Sequence, residues 1–272
     1  MGGAGKKTTF QLVLIKPTHY DDNGYPITWL RSHIPSNTLA ALYGLGEDCR
    51  RRQVLGPDVD IVVKPFDETN IRVRVDKIVA NFRRGGGRGL ICMVGVQSNQ
   101  FPRAVDLARQ FIAAGLPVAM GGFHAAGSLA MLPVVPPEIQ AAMDLGITIY
   151  AGEAEEGRLD EVLLDAWHRR LKPLYNYMDD LPSMEGAPTH SLPPEALARN
   201  EGRKSSFDLG GAARSSARSA PSSMCRAARA AFAPPTTSRR SCAKTTARAS
   251  IRSSSPTTTW PAISTGRRSS TG

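Results

Sequence analysis

Four short stretches of this chain hold residue types that could bind a ligand. They are Thr18-His19-Tyr20 within Lys16–Gly24, Ser98-Asn99 within Gln97–Gln100, Gly121-Gly122-Phe123-His124, and Gly152-Glu153-Ala154-Glu155-Glu156. Hydroxyls, amides and imidazoles supply hydrogen bonds. Glycine pairs let another group approach the backbone closely. Polar side chains on loops of small bulk are what a large flat ligand needs. A fifth stretch, Gly85–Gly87 between Arg84 and Arg88, looks like a phosphate loop. It precedes an apolar run instead of following one, so a plain turn is expected there. Cysteines at 49, 92, 225 and 242 have no metal or disulfide spacing. Cys49 and Cys92 are expected to be structural thiols.

The elements that must position these loops can be read from periodicity. Phe10–Ile15, Asp60–Phe66, Leu90–Val96, Pro117–Met120 and Ile147–Ala151 read as strands. Helices are expected over Ser36–Cys49, with Ser36 or Asn37 as N-cap, around Val75–Phe82, over Arg103–Ala114 and over Glu155–Leu171. Five strands joined by crossover helices must be parallel, which gives a three-layer α/β, Rossmann-like (flavodoxin-like) domain over residues 10–171. Ligands of such sheets bind beyond the carboxyl ends of the strands. Four of the polar loops follow strands and fall at that edge. Residues 172–208 are proline-rich and weakly periodic, and read as a linker.

Composition sharpens the division. The chain has 272 residues, 34 Lys plus Arg and 24 Asp plus Glu, a formal charge of +10. Residues 209–272 carry 10 Arg, one Lys and no acid, so residues 1–208 have 23 basic and 24 acidic side chains. The folded part is nearly neutral, and a nucleic-acid partner is not expected. No apolar run approaches the roughly 20 residues of a membrane span. Leu12–Ile15 is too short for a signal core, and Lys6 occupies the position where a myristoylation signal has Ser or Thr. A cytoplasmic, membrane-free protein is expected.

Residues 209–272 lack Val, Tyr, Asn, Gln, His, Asp and Glu, while Ser, Ala, Arg and Thr dominate. As protein this is a disordered basic tail. It also has the composition of a GC-rich gene translated out of frame. Back-translating Ala212–Ala227 with permitted codons and shifting by one nucleotide gives G-C-P-F-E-C-S-F-C-T-I-I-N-V-Q-G. On that reading the slip is expected near Gly210–Gly211.

That shifted string contains C-x3-C-x2-C, the signature by which radical S-adenosylmethionine enzymes hold a [4Fe–4S] cluster. The upstream domain, with Ser98 after the third strand, Gly121-Gly122 after the fourth and the Gly152-Glu153-x-Glu155-Glu156 segment after the fifth, resembles the cobalamin-binding domain of the cobalamin-dependent members of that family. The resemblance covers residues 10–208. It implies cobalamin as cofactor, with Ser98 bonding its lower nucleotide arm and Gly121 and Gly122 clearing the arm's path. Thr18, His19, Tyr20, Asn99, Phe123, Gly152 and Glu153 would line the site. In the intact family, cleavage of S-adenosylmethionine yields a radical, and cobalamin often relays a methyl group.

One departure limits the transfer. The cobalamin signature D-x-H-x-x-G supplies a His ligand to cobalt. Here Pro17 stands where the Asp would be, and Gly24 lies five residues after His19. The axial role is not carried to His19. As written, the chain also lacks the cysteine triplet, so neither cluster nor S-adenosylmethionine chemistry is expected of it. A Rossmann-like module that binds a nucleotide or flavin without catalysis is the alternative.

Overall fold

The computed structural model describes residues 7–180, 182 and 186–200. Within them one parallel sheet is built from β1 (Thr8–Lys16), β2 (Val59–Asp67), β3 (Gly89–Met93), β4 (Val118–Gly121), β5 (Ile147–Ala151) and β6 (Leu174–Asn176). The helices are α1 (Asn37–Arg52), α2 (Val75–Arg84), α3 (Phe101–Ala113), α4 (Phe123–Met131), α5 (Pro137–Asp144), α6 (Arg158–Trp167) and the short α7 (Pro194–Leu197). Strand order is β2-β1-β3-β4-β5-β6. The chain therefore reverses direction across the sheet between β1 and β3, which is the switch point of a doubly wound fold. The α/β, Rossmann-like class is as expected, but the sheet has six strands, not five. The extra strand, β6, lies in the stretch read as linker. The tail at 209–272 lies outside the described residues.

β1 is central because its apolar residues serve both faces. Val13 and Ile15 join the cluster under α2, α3, α4 and α5, while Phe10, Leu12 and Leu14 join the one under α1 and α6. It pairs in register with β2 from Thr8↔Val59 to Lys16↔Asp67, and with β3 from Gln11↔Gly89 to Ile15↔Met93. Each fully buried side chain of this kind is worth roughly 1.5–3 kcal/mol. Such two-sided burial explains the unbroken apolar run.

The helices follow their local signals. Ser36 caps α1, its Oγ accepting from Leu39 N at 3.3 Å. The α2 stripe buries Ile78, Val79 and Phe82. In α3 the buried set is Phe101, Ala104, Leu107, Ala108 and Phe111, with Val105 and Ile112 partly buried against the same core. α6 starts three residues later than expected, because Gly157 at φ 81° forms a left-handed turn before it.

Residues 186–200 are also placed. Ser191 N donates to Ala40 O at 3.1 Å, and the position of a Cβ on Gly44 is filled by the Thr189 carbonyl. This strap crosses α1 and ends at Asn200, which is buried and bonded to Ser32. Among the described residues no helix is long and apolar enough to cross a membrane.

Candidate functional site

The four polar loops all lie at the carboxyl edge of the sheet, and hydrogen bonds stitch three of them together. Val94 N donates to Ile15 O, Val96 N to Gly121 O, and His124 N to Val96 O, at 2.8, 3.1 and 3.0 Å. The loop after β3 is thus clamped between the ends of β1 and β4.

Gly122 makes that clamp possible. It has φ 144°, and a Cβ there would lie 2.1 Å from Val96 N and 2.7 Å from Val96 O. A Cβ on Gly121 would lie 3.3 Å from Tyr150 O. The space beside both glycines is therefore taken by the chain's own backbone and Tyr150. Gly152, at φ 120°, similarly faces Tyr177, 3.0 Å from its Cβ.

The clamp brings Ser98, Phe101 and His124 into one group. Ser98 Oγ and His124 Nδ1 are in hydrogen-bond contact at 3.2 Å, and the His124 ring lies 4.4 Å from the Phe101 ring. Ser98 does not cap α3; the Gln100 side chain instead accepts from Gln97 N at 3.0 Å. His124 Nε2 is buried and has no hydrogen-bond partner among the described residues. Burial holds the imidazole below its usual range, partly opposed by Glu138. The turn before α6 offers a second such atom, the buried and unpartnered Oε2 of Glu155. Buried polar atoms normally have partners, so these two mark places where an outside group can bond. Asn99 and Phe123 are exposed nearby in sequence, and the Glu153 carbonyl accepts from Tyr150 Oη at 2.6 Å.

The loop after β1 is put to structural use. Thr18 is buried, donates to Ile27 O at 2.6 Å, and its N donates to Glu68. The His19 carbonyl accepts from Ile27 N. Tyr20 Oη donates to Asp106 at 2.6 Å, and Arg103 lies over its ring. Arg103 in turn pairs with Glu68 at 2.5 Å, a carboxylate with 1% side-chain exposure. Burial, with Asp106 as acceptor, raises the Tyr20 phenol above its ordinary value.

These partners were not legible in the sequence. Glu68 and Arg103 are 35 positions apart, and only the fold joins them. His124 and Glu155 sit inside the motifs already noted. Their unpartnered atoms, however, are facts of three-dimensional packing. Cys49 is buried beside Asp160, and burial pushes its thiol up; Cys92, on β3, is pushed up to about 12. Neither is a poised nucleophile. Among the described residues no group of three His, Cys, Asp or Glu converges as for a metal.

A groove of about 600 Å³ opens at the opposite, amino edge, lined by Arg88, Trp167 and the strand starts. The Arg88 guanidinium sits 4.4 Å over the Trp167 ring. Among the described residues no acid–base group or unpartnered buried atom faces it, so the carboxyl edge remains the candidate site. The glycine-rich turn at 85–87 ends α2 at this amino edge, as its place before a strand implies.

No protein-family model and no curated protein matches the chain. Among solved structures it is similar to homoserine dehydrogenase of S. aureus, at 13% identity and a TM-score of 0.29. The match covers 53% of this chain and spans about a third, 33%, of that one. A likeness at that level carries no functional argument.

Proposed function

We propose that this chain is the cobalamin-binding module of a cobalamin-dependent radical S-adenosylmethionine enzyme, separated from its cluster-binding part by a frameshift near Gly210–Gly211. The observation that carries it is the group at the carboxyl edge beside the β1/β3 switch point. There Ser98 and His124 are held together by the Gly121-Gly122 clamp, and His124 Nε2 is left without a partner.

These residues fit the group they would meet. Cobalamin presents amides and a phosphate around a broad apolar ring. An imidazole nitrogen, a serine hydroxyl and a carboxylate oxygen can bond that polar margin. Ser98 and His124 would hold one side, and Glu155 the side after β5. Gly121 and Gly122 contribute indirectly, by letting the two loops approach each other. When bound, cobalamin supplies a cobalt that can carry and hand over a methyl group. The chain's own residues bind and orient; with its nitrogen buried, His124 stays neutral near pH 7 and can donate or accept a bond without adding charge.

Mixing the 272-residue chain with hydroxocobalamin tests this. A coloured complex should survive gel filtration at micromolar ligand. His124→Ala should weaken it about tenfold, the loss of one good hydrogen bond to a buried partner. Absence of any complex overturns the cofactor assignment. Selective retention of FMN or a nucleotide in its place would establish the alternative, for which the 2-1-3-4-5 order of the first five strands is the supporting feature.

A further inference from the structure

The excursion between β1 and α1 presents apolar side chains to solvent. Leu30 is 94% exposed, Tyr25 70% and Trp29 65%, with Ile34 also exposed. A floppy loop would give this no meaning, but this one is fixed. Trp29 N donates to Thr69 O at 2.7 Å, Thr18 Oγ1 donates to Ile27 O, and Ser32 Oγ accepts from Asn70 Nδ2 at 2.8 Å. Thr18 is itself buried. Rigid, outward-facing aromatic and aliphatic side chains are the usual anchors of protein interfaces.

The chain's own path leads to them. The strap over α1 ends at Asn200, whose side chain bonds Ser32 Oγ and whose backbone bridges to Ser32. Ser32 lies between Leu30 and Ile34. Leu197, exposed on α7, is bonded through its carbonyl to Asn200 N. The strap thus brings Asn200 into the middle of the exposed apolar residues, at the carboxyl edge. In this sequence only Glu201–Leu209 then precede the proposed slip, and they include just two large apolar residues, Phe207 and Leu209.

We infer that Trp29, Leu30, Ile34 and Leu197 form the docking surface for the polypeptide that continues past Asn200 in the original reading frame. The inference rests on the frameshift and not on cobalamin. Residues on either side of the Ser32–Asn200 contact form its apolar centre, and Tyr25 lies at the margin. The exposed α4–α5 connection, with Val134, is no part of it.

The test compares the 272-residue chain with the product of the gene after a one-nucleotide correction near codon 210. Hydroxyl-radical footprinting read by mass spectrometry reports each side chain without cofactor. In the 272-residue chain Trp29 and Leu30 should oxidise as freely as exposed Val134. In the corrected product Trp29 and Leu30 should be protected severalfold while Val134 is unchanged. Trp29→Arg with Leu30→Arg, read at Ile34 and Leu197, should abolish that protection. Equal oxidation of Trp29 in both chains overturns the inference, as does protection at Ile34 and Leu197 that survives the double substitution. A stop codon soon after position 210 in the corrected frame overturns it too, because no occupant is then encoded. Hydroxocobalamin absorbance, read separately, shows whether the cofactor assignment stands or falls on its own.

Discussion

A methyl group at Gly122 would have to share space with the backbone of Val96. The Gly95–Val96 backbone cannot move aside as a flexible side chain can. Gly122→Ala should therefore cost about 3 kcal/mol or more, from the strained φ and the overpacking together. Gly121→Ala, whose contact is 3.3 Å, should cost only about 1 kcal/mol. Urea melts of the two variants check the difference. His124 makes a pH-dependent contribution. Its folded-state pKa lies below the ordinary 6.5 because burial disfavours the imidazolium. The unfolded chain therefore takes the proton first as pH falls. The stability tied to His124 is fully present above about pH 6.5 and declines as pH drops from there through the lower folded value. Melts from pH 8 to 5 should show that slope, and His124→Phe should lack it. A variant with the wild-type slope would remove His124 as its source.

Among the elements, α3 is tied to the two edge loops by charge as well as by packing. Arg103 holds buried Glu68, which accepts from Thr18 N. Removing one partner strands the other. Arg103→Met should cost about 3–5 kcal/mol, whereas replacing both, Arg103→Met with Glu68→Leu, should cost much less. A double-mutant cycle by denaturant melting measures the gap. No sequence pattern marks such a pair. What the sequence did mark were elements with strong local signals. α1 has Ser36 as cap, α2 a four-residue stripe, and β1 a continuous apolar run. α4 carries no such signal, because its N-cap is Gly122 with no side-chain bond and Gly127 and Ser128 lie within it. α5 is a short helix that starts on the second of two prolines, Pro137, and the three residues of β6 are too few to show a period. The candidate loops were legible because strand ends in a parallel sheet locate them. How their side chains are bonded was not, since Ser98 could have capped α3 and instead meets His124.

For the molecule as a whole, the strap over α1 makes the domain larger than its sheet. Gly44 leaves room for the Thr189 carbonyl, and a Cβ would come within 2.6 Å of it. Gly44→Val should lift the strap while leaving the sheet intact, so limited proteolysis within 186–200 should speed up severalfold with little change in the urea midpoint. Unchanged cleavage would show that the strap is held elsewhere. The position of β1 sets a further condition, on synthesis. The strand leaves the ribosome ahead of both its neighbours, β2 and, after roughly 75 more residues, β3. At 5–20 residues per second that is about 4–15 s of waiting. Meanwhile Phe10–Ile15, uncharged and free of proline and glycine, is the kind of segment that stacks with copies of itself into cross-β aggregates. A strand buried on both faces in the finished domain is thus an aggregation hazard in the nascent chain, and yield should depend on chaperone supply and translation rate as well as on the stability of the folded state.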